Sequence, residues 1–194
     1  MDRQFMTERL LLLPGNNKRD NDTFLEMLRK DGDFRAFSGV DPTEKYILMF
    51  RDYLEINESC FYSIFEKEYQ EKMIGYVGIS YQHQHFEVEF YISKSYRNRG
   101  YCTEALQRLC LEAFGGNLRW RNEEGIKTKL SIDKLYATTI SDNLSAIKVL
   151  EKSGFIKEPN CVMLFQIFID PDDNTLYEND IAEYVVEKNS VVYG

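Results

Sequence analysis

Alternating acidic and apolar residues mark a strand in the middle of the chain, and a helical repeat of apolar residues follows it. Residues 86–92 alternate with period 2 and end in a wholly apolar stretch, which is the pattern of a strand. Beyond a short turn, apolar residues recur at the spacing of one helical face, at Ala105, Leu106, Leu109, Cys110, Ala113 and Phe114. The pattern predicts a strand, a turn and an amphipathic helix between residues 86 and 114.

Apolar and alternating runs predict further strands on both sides of this unit. They lie at residues 7–13, 61–65, 73–81, 134–140, 161–169 and 181–186. Residues 14–17 end the first of these runs with turn residues, and a charged turn at 66–72 joins the second to the third.

Helices are predicted between some of these strands. One covers residues 22–28, with Asn21 or Asp22 as its cap, and another runs from Asp41 towards residue 57. A last helix begins near Asn143 and follows the strand at 134–140.

Composition limits the classes of protein that fit this pattern. With 194 residues, 43% of them apolar and 29% charged, the chain is long enough for one domain with a sizeable core. We therefore expect a single domain over residues 1–194. A net charge of −8 disfavours nucleic-acid binding, which relies on Lys and Arg contacts to phosphates. The same acidity favours a basic acceptor or serves only solubility.

The apolar runs also bear on location. None of them approaches the roughly 20 residues that span a bilayer, and the N-terminus lacks the apolar segment of a signal peptide. We expect a cytoplasmic protein that makes no membrane contact.

Neither the cysteines nor the histidines indicate a metal site. Cys60, Cys102, Cys110 and Cys161 are scattered without a CxxC pair, so reduced thiols are expected. His83 and His85 share a strand spacing, but no third ligand is evident and a hairpin loop is the better interpretation.

The turn before the amphipathic helix has the features of an anion site. Its sequence is Arg97-Asn98-Arg99-Gly100-Tyr101-Cys102-Thr103. The first amides of a helix lack partners inside it and carry about half a positive charge, and Gly100 lets the backbone approach a ligand. Arg97 and Arg99 add cations suited to phosphate oxygens, and a lowered pKa is expected for the Cys102 thiol. A pyrophosphate fits this turn; an ordinary turn with solvated arginines is the alternative.

Together with a second motif, this turn resembles the GNAT acetyltransferases. That family has Arg/Gln-x-x-Gly-x-Gly/Ala after a strand, and Arg97-x-x-Gly100-x-Cys102 departs from it only at the last position. A second signature, an Asn that opens a helix ending in Lys-x-Gly-Phe, is matched by Asn143, Lys152, Gly154 and Phe155. The segments 7–10 and 180–186 also resemble the branch that includes the ribosomal-protein N-terminal acetyltransferases.

The resemblance implies a fold, a cosubstrate and a site. The implied fold is an α/β (α+β) domain with a mixed, mostly antiparallel sheet that splays to admit the cofactor and has helices on both faces. Acetyl-CoA is the implied cosubstrate, with its pyrophosphate on the amides of residues 99–103. The residues expected to contact acetyl-CoA are Tyr91, Ile92, Arg97, Asn98, Arg99, Gly100, Tyr101, Cys102, Thr103 and Asn143.

The implied reaction is direct acetyl transfer to a primary amine, of a peptide N-terminus or a small molecule, without an acyl-enzyme. Such a reaction needs a base for the amine proton. Alignment through the turn places Glu87 where the branch often carries a glutamate, and Glu89 shares its strand face. We expect Glu87 to be the base and Glu89 to be the neighbouring candidate. Solvated acids on an exposed strand face are the alternative.

Two departures from the family keep other functions open. Related enzymes carry a catalytic tyrosine where this chain has Leu150, and frequently a serine where it has Ala146. The general acid for the departing thiolate is therefore unassigned. A catalytically silent acyl-CoA-binding sensor and an antibiotic- or polyamine-modifying acetyltransferase are the alternative functions.

Residues 115–133 form an insertion, longer than the connection that the family usually has there. Gly115-Gly116 is expected to break the preceding helix, and Trp120 lies between Arg119 and Arg121 in a locally basic patch. Three roles fit the insertion: a cover over the nucleotide end of the cofactor, a contact in a homodimer, or a solvated loop.

Overall fold

The structure, a computed structural model, describes residues 3–15, 18–32, 60–82, 84–121, 124–159, 165–169 and 176–190. The predicted helix at 41–57 lies outside these residues, as do residues 161–164 of a predicted strand and residues 14–17 in part.

The described residues form three helices and eleven strands. The helices are α1 (Lys18–Arg29), α2 (Tyr101–Phe114) and α3 (Leu144–Lys152), with short 3₁₀ turns at Lys94–Tyr96 and Lys188–Ser190. The strands are β1 (Phe5–Met6), β2 (Leu10–Pro14), β3 (Phe61–Glu66), β4 (Tyr69–Gln82), β5 (His85–Ile92), β6 (Arg119–Arg121), β7 (Lys127–Lys129), β8 (Lys134–Ile140), β9 (Ile156–Lys157), β10 (Phe165–Ile169) and β11 (Leu176–Glu187).

One large sheet organises the domain. Its strand order is β1-β2-β3-β4-β5-β8-β11-β10, with β9 paired to β11, while β6 and β7 form a separate two-stranded hairpin. Neighbouring strands pair antiparallel except β5 and β8, whose described parallel pairing consists of Glu87 opposite Tyr136. Beyond this pair the two strands diverge, and the predicted mixed, mostly antiparallel sheet that splays is confirmed.

Helices cover both faces of the sheet, as predicted. On one face α2 and α3 pack over a core that includes Leu106, Leu109 and Leu150, all fully buried. On the other face α1 packs through Phe24 and Leu28 against side chains of β3 and β4. Each such buried Leu or Phe contributes roughly 2 kcal/mol through the surface it removes from water, so the sheet is stabilised from both sides.

Polar element ends account for the differences between the predicted and observed boundaries. Helix α1 begins at residue 18 rather than 22, because residues 18–21 carry no apolar repeat. Strand β4 begins at Tyr69 rather than residue 73, so the joining turn is shorter than 66–72. Thr7 belongs to a turn and not to a strand, because its hydroxyl accepts the Leu10 amide at 2.9 Å.

Candidate functional site

A cleft of about 930 Å³ opens where β5 and β8 diverge. Its walls come from residues 88–92 of β5, residues 137–140 of β8, the turn before α2 and one side of α3. Of the residues predicted to contact acetyl-CoA, those lining the cleft are Tyr91, Ile92, Arg97, Asn98, Gly100, Tyr101, Cys102, Thr103 and Asn143. The structure thus brings together residues that two separate sequence motifs supplied.

Arg99 is the predicted cofactor residue that does not line the cleft. Its guanidinium donates to the Ser95 carbonyl at 3.2 Å and lies 5.3 Å from the centre of the Tyr96 ring. The side chain therefore lies along the outside of the turn.

The turn ends in an open helix N-terminus. Gly100 is the N-cap of α2 with φ +79°, a left-handed conformation that favours glycine. The first hydrogen bond of the helix runs from the Glu104 amide to the Gly100 carbonyl at 3.0 Å. The amides of Tyr101, Cys102 and Thr103 precede it and have no acceptor inside the helix, so they can bind an anion in the cleft.

A second group of side chains, from the N-terminal segment, secures the start of α2. Glu104 accepts hydrogen bonds from the Thr7 hydroxyl at 2.5 Å and the Arg9 amide at 2.9 Å, and its other oxygen forms a salt bridge with Arg9 at 2.6 Å. Arg9 also donates to the Arg99 carbonyl at 2.9 Å. Thr7 and Arg9 were not predicted as part of the site, although segment 7–10 contributed to the family resemblance. Their partner Glu104 lies about a hundred residues away in the sequence.

The ionisation of Glu104 reflects this environment. Burial alone raises the pKa of a carboxyl group. Here the hydrogen bonds from Thr7 and Arg9 and the charge of Arg9 outweigh burial and lower the pKa of Glu104 below its ordinary value.

Arg97 is held by groups on the inner side of the turn. Its guanidinium donates to the Ile92 carbonyl at 3.0 Å and forms an ion pair with Asp31. The hydroxyl of Tyr91 donates to the same Asp31 oxygen at 2.7 Å, and burial together with this bond raises the pKa of Tyr91. The sequence predicted Arg97 as a partner for pyrophosphate; the structure gives it a protein partner as well.

Asn143 caps α3 beside the cleft. Its Oδ1 accepts the Ala146 amide at 3.1 Å, so the alternative role of helix cap, foreseen from the sequence, is observed. The side chain also lines the cleft.

Glu89 and Glu87 occupy different surroundings on β5. Glu89 lines the cleft, and its Oε1 accepts from the Ser80 hydroxyl at 2.7 Å and the Gln82 amide at 2.9 Å. Glu87 is buried, does not line the cleft, and contacts His85 Nε2 at 3.1 Å. The prediction that both carboxylates share one strand face is confirmed. They differ in that Glu89 lines the cleft and Glu87 does not.

The predicted activation of Cys102 is wrong. Burial raises the pKa of this thiol to about 12, and the nearby Arg97 offsets the effect only in part. The small thiol is therefore a protonated, weakly polar group that packs, partly buried, against the core beside the cleft.

The insertion is a packed hairpin at the far end of α2. Helix α2 ends before Gly115, as predicted, and β6 and β7 follow. The half-buried Trp120 ring contacts Phe86 edge-to-face, with centroids 4.9 Å apart, and Tyr81 at 5.9 Å. Because Phe86 lies at the end of β5 opposite the turn, the hairpin does not cover the turn before α2. The contacts of Trp120 hold the insertion against the domain, while Arg119, Arg121 and Gly125 are exposed.

The described residues contain no group of three or more side chains arranged to hold a metal ion. In the same part of the chain, no helix has the length and apolar character needed to cross a membrane.

The described residues thus form an α/β fold in which a mostly antiparallel sheet splays beside an open helix N-terminus. The chain belongs to the GNAT family: the family model described as "Acetyltransferase (GNAT) domain" matches residues 9–156.

Individual relatives agree with this assignment. The uncharacterized N-acetyltransferase YjdG of Bacillus subtilis (strain 168) is 32% identical over 82 residues, which are 42% of this chain and 41% of that protein. The match therefore spans less than half the length of that relative.

Solved structures with similar folds cover nearly the whole chain. A GNAT-family acetyltransferase from Bacillus anthracis has a TM-score of 0.66 at 21% identity, covering 96% of this chain and 99% of that one. A probable GNAT acetyltransferase from Chromobacterium violaceum has a TM-score of 0.72 at 16% identity, covering 98% and 88%. Spermidine N-acetyltransferase from Vibrio cholerae, solved with CoA and spermine, has a TM-score of 0.67 at 15% identity, covering 95% and 98%.

Proposed function

We propose that this protein transfers an acetyl group from acetyl-CoA to a primary amine. The observation that carries the proposal is the position of the open α2 N-terminus in the wall of the cleft between β5 and β8. The leading amides of α2 suit the pyrophosphate, and the cleft of about 930 Å³ between the two strands leaves space for the rest of the cosubstrate. Acetyl-CoA supplies an activated acetyl group when it is bound.

The chain's own residues have separate roles in this proposal. The α2 amides and Asn143 orient the cosubstrate. Glu89 lines the cleft and accepts a proton from the acceptor amine. Glu87, the base favoured by alignment, lies outside the cleft lining and contacts His85. The attacking amine forms the new C–N bond as the C–S bond breaks, and solvent protonates the departing thiolate.

The acceptor is a primary amine, of a peptide N-terminus or of a small molecule. The acidic lining at Glu89 suits an amine that is protonated when it arrives, and the Vibrio cholerae spermidine N-acetyltransferase of similar fold was solved with spermine, a polyamine. Membership in the ribosomal-protein N-terminal acetyltransferase branch, a homodimer and a cytoplasmic location stay predictions.

A second candidate function is a sensor that binds acyl-CoA without turning it over. The apolar side chains Ala146 and Leu150 line the cleft at the positions where related enzymes carry serine and tyrosine. Such a protein binds acyl-CoA but does not transfer the acyl group to an amine.

Calorimetry with acetyl-CoA tests the binding step. Gly100→Glu is expected to abolish binding, because it places bulk and negative charge beside the α2 amides. Gly125→Glu is the matched control: Gly125 also has a positive φ, of 75°, has open space around it, and lies in the hairpin away from the cleft. Wild-type protein that ignores millimolar acetyl-CoA, equivalent to about −4 kcal/mol of binding, would contradict the proposal.

Turnover separates the two candidate functions. Acetyl-CoA consumption is measured with N-terminal peptides, polyamines and aminoglycosides as acceptors. Binding with turnover of one of these amines supports the enzyme, and binding without turnover of any favours the sensor.

A further inference from the structure

Two sets of distant side chains hold the turn before α2. On the outer side Arg9 contacts Glu104 and the Arg99 carbonyl. On the inner side Asp31, which follows the end of α1, contacts Arg97 and Tyr91. Asp31 is 4% exposed and lies outside the lining of the cleft, so it does not meet a ligand there.

The conformation of the turn explains why it needs such support. Asn98 has φ +62° and Gly100 has φ +79°, so two of its residues are left-handed. A left-handed backbone is disfavoured for a non-glycine residue and persists where surrounding contacts enforce it. The direction of the α2 amides follows from this turn.

The contacts of Asp31 act at the first residue of the turn. The Arg97 guanidinium is fixed between the Asp31 carboxylate and the Ile92 carbonyl, and it lies 5.7 Å from the centre of the Tyr91 ring. Because the Asp31 side chain is buried, these hydrogen bonds and the ion pair replace its contacts with water. The three side chains therefore form one unit that joins α1, the end of β5 and the turn.

We propose that Asp31 is a positioning residue of the cofactor site: by holding Arg97 and Tyr91 it fixes the start of the turn and so directs the α2 amides at the pyrophosphate. The inference rests on the proposed function, and it adds a residue just after α1 that no motif indicates.

Simple electrostatics predicts the opposite effect, which makes the inference testable. A carboxylate near an anion site repels the ligand, so removing its charge tightens CoA binding if charge alone matters. A positioning role predicts weaker binding, because the turn loses its preorganised shape. The sign of the change therefore distinguishes the two.

The experiment compares CoA, measured by calorimetry, with pantetheine, which lacks the pyrophosphate and is titrated by NMR. Asp31→Asn is expected to raise the Kd for CoA about tenfold and to leave that for pantetheine within twofold. Asp31→Asn combined with Arg97→Gln should be no worse than the weaker-binding single variant, because residues that act as one unit are not additive. Asp20→Asn is the control, since Asp20 is a buried aspartate within α1, 2% exposed and outside the cleft lining; it should not change CoA binding.

Other outcomes overturn the inference. Unchanged or tighter CoA binding in Asp31→Asn would do so, and so would an equal loss for pantetheine. A loss in the double variant equal to the product of the two single losses would also overturn it. If Asp31→Asn does not fold, Tyr91→Phe decides, since it removes one contact of Asp31 and should weaken CoA about threefold; no change overturns the inference. Wild-type protein that binds no CoA would instead overturn the proposed function.

Discussion

Glu89 and Glu87 lie two residues apart on the same face of β5, and of the two Glu89 lines the cleft. Ser80 and Gln82 donate to Glu89 from the neighbouring strand, whereas Glu87 contacts the imidazole of His85. His85 in turn stacks on Tyr136 and lies 3.8 Å from Glu183. The Glu89 carboxylate therefore faces the cleft, and the Glu87 carboxylate belongs to a polar group beside it.

Replacing Glu89 by Gln tests which carboxylate is the base. Gln keeps the shape and removes the charge, so turnover should fall by roughly 10²–10⁴ while acetyl-CoA affinity stays within twofold. Higher pH should restore part of the rate, because more of the acceptor amine is then already deprotonated. Steady-state kinetics between about pH 6 and 10 measures both effects.

Glu87→Gln is the matched comparison on the same strand face. A large loss in Glu87→Gln with near-normal Glu89→Gln would restore the assignment made by alignment. Normal turnover in both variants would exclude a carboxylate base on β5.

The lowered pKa of Glu104 predicts a pH-dependent contribution to stability. The group's pKa lies below its unfolded value of about 4.5. The contribution of ionised Glu104 to the free energy of unfolding is therefore complete above about pH 4.5. It is lost as the pH falls through the lower pKa of the folded state. Glu104→Gln should lower the free energy of unfolding by about 1–2 kcal/mol at pH 7, and the difference from wild type should shrink towards pH 3. Urea unfolding at several pH values tests this, and a gap that does not change between pH 7 and 3 would contradict it.

Cys102 is expected to react slowly with iodoacetamide in the folded protein. With a pKa of about 12 its thiolate fraction at pH 8 is about 10⁻⁴, compared with about a quarter for an ordinary cysteine, so alkylation should be about 10³-fold slower. The alkylation rate should rise about tenfold for each unit by which the pH approaches the pKa of the thiol. Mass spectrometry of the Cys102 peptide measures the rate, and rapid modification at pH 7 would mean an accessible thiolate.

Trp120, the chain's one tryptophan, should report on the hairpin and not on the cofactor. Its ring packs on Phe86 and Tyr81 at the end of β5 away from the turn, so saturating CoA should leave its fluorescence unchanged. Phe86→Ala should shift the emission to longer wavelength and lower the free energy of unfolding by about 2 kcal/mol, because the half-buried contact is lost. A CoA-dependent change in the wild-type spectrum would place the hairpin near the nucleotide after all.

Local sequence patterns predicted the parts of the site that depend on local structure. The bounds of β8 and the break of α2 at Gly115 followed from periodicity and glycine, and the position of Gly100 at a helix N-terminus followed from the start of the apolar repeat. These features depend on residues within one or two turns of each other.

Long-range partners could not be predicted in the same way. Asp31 and Arg97 are 66 residues apart, and Thr7 and Glu104 are 97 apart, so no periodic pattern connects them. The prediction of a lowered pKa for Cys102 was wrong for a related reason. The position at a helix N-terminus and a nearby arginine are visible in the sequence, whereas desolvation by residues distant in the sequence is not.

The hairpin β6–β7 belongs to the crossover connection between β5 and the parallel strand β8. A crossover connection can vary in length without changing how the two strands that it joins are paired. Its turn residue Gly125 is exposed, with no atoms within 4 Å of the position a side chain would take. A reporter peptide or an affinity tag spliced in at Gly125 should therefore leave the cleft intact. That would give a labelled protein for immobilisation and acceptor screening without a tag at either terminus.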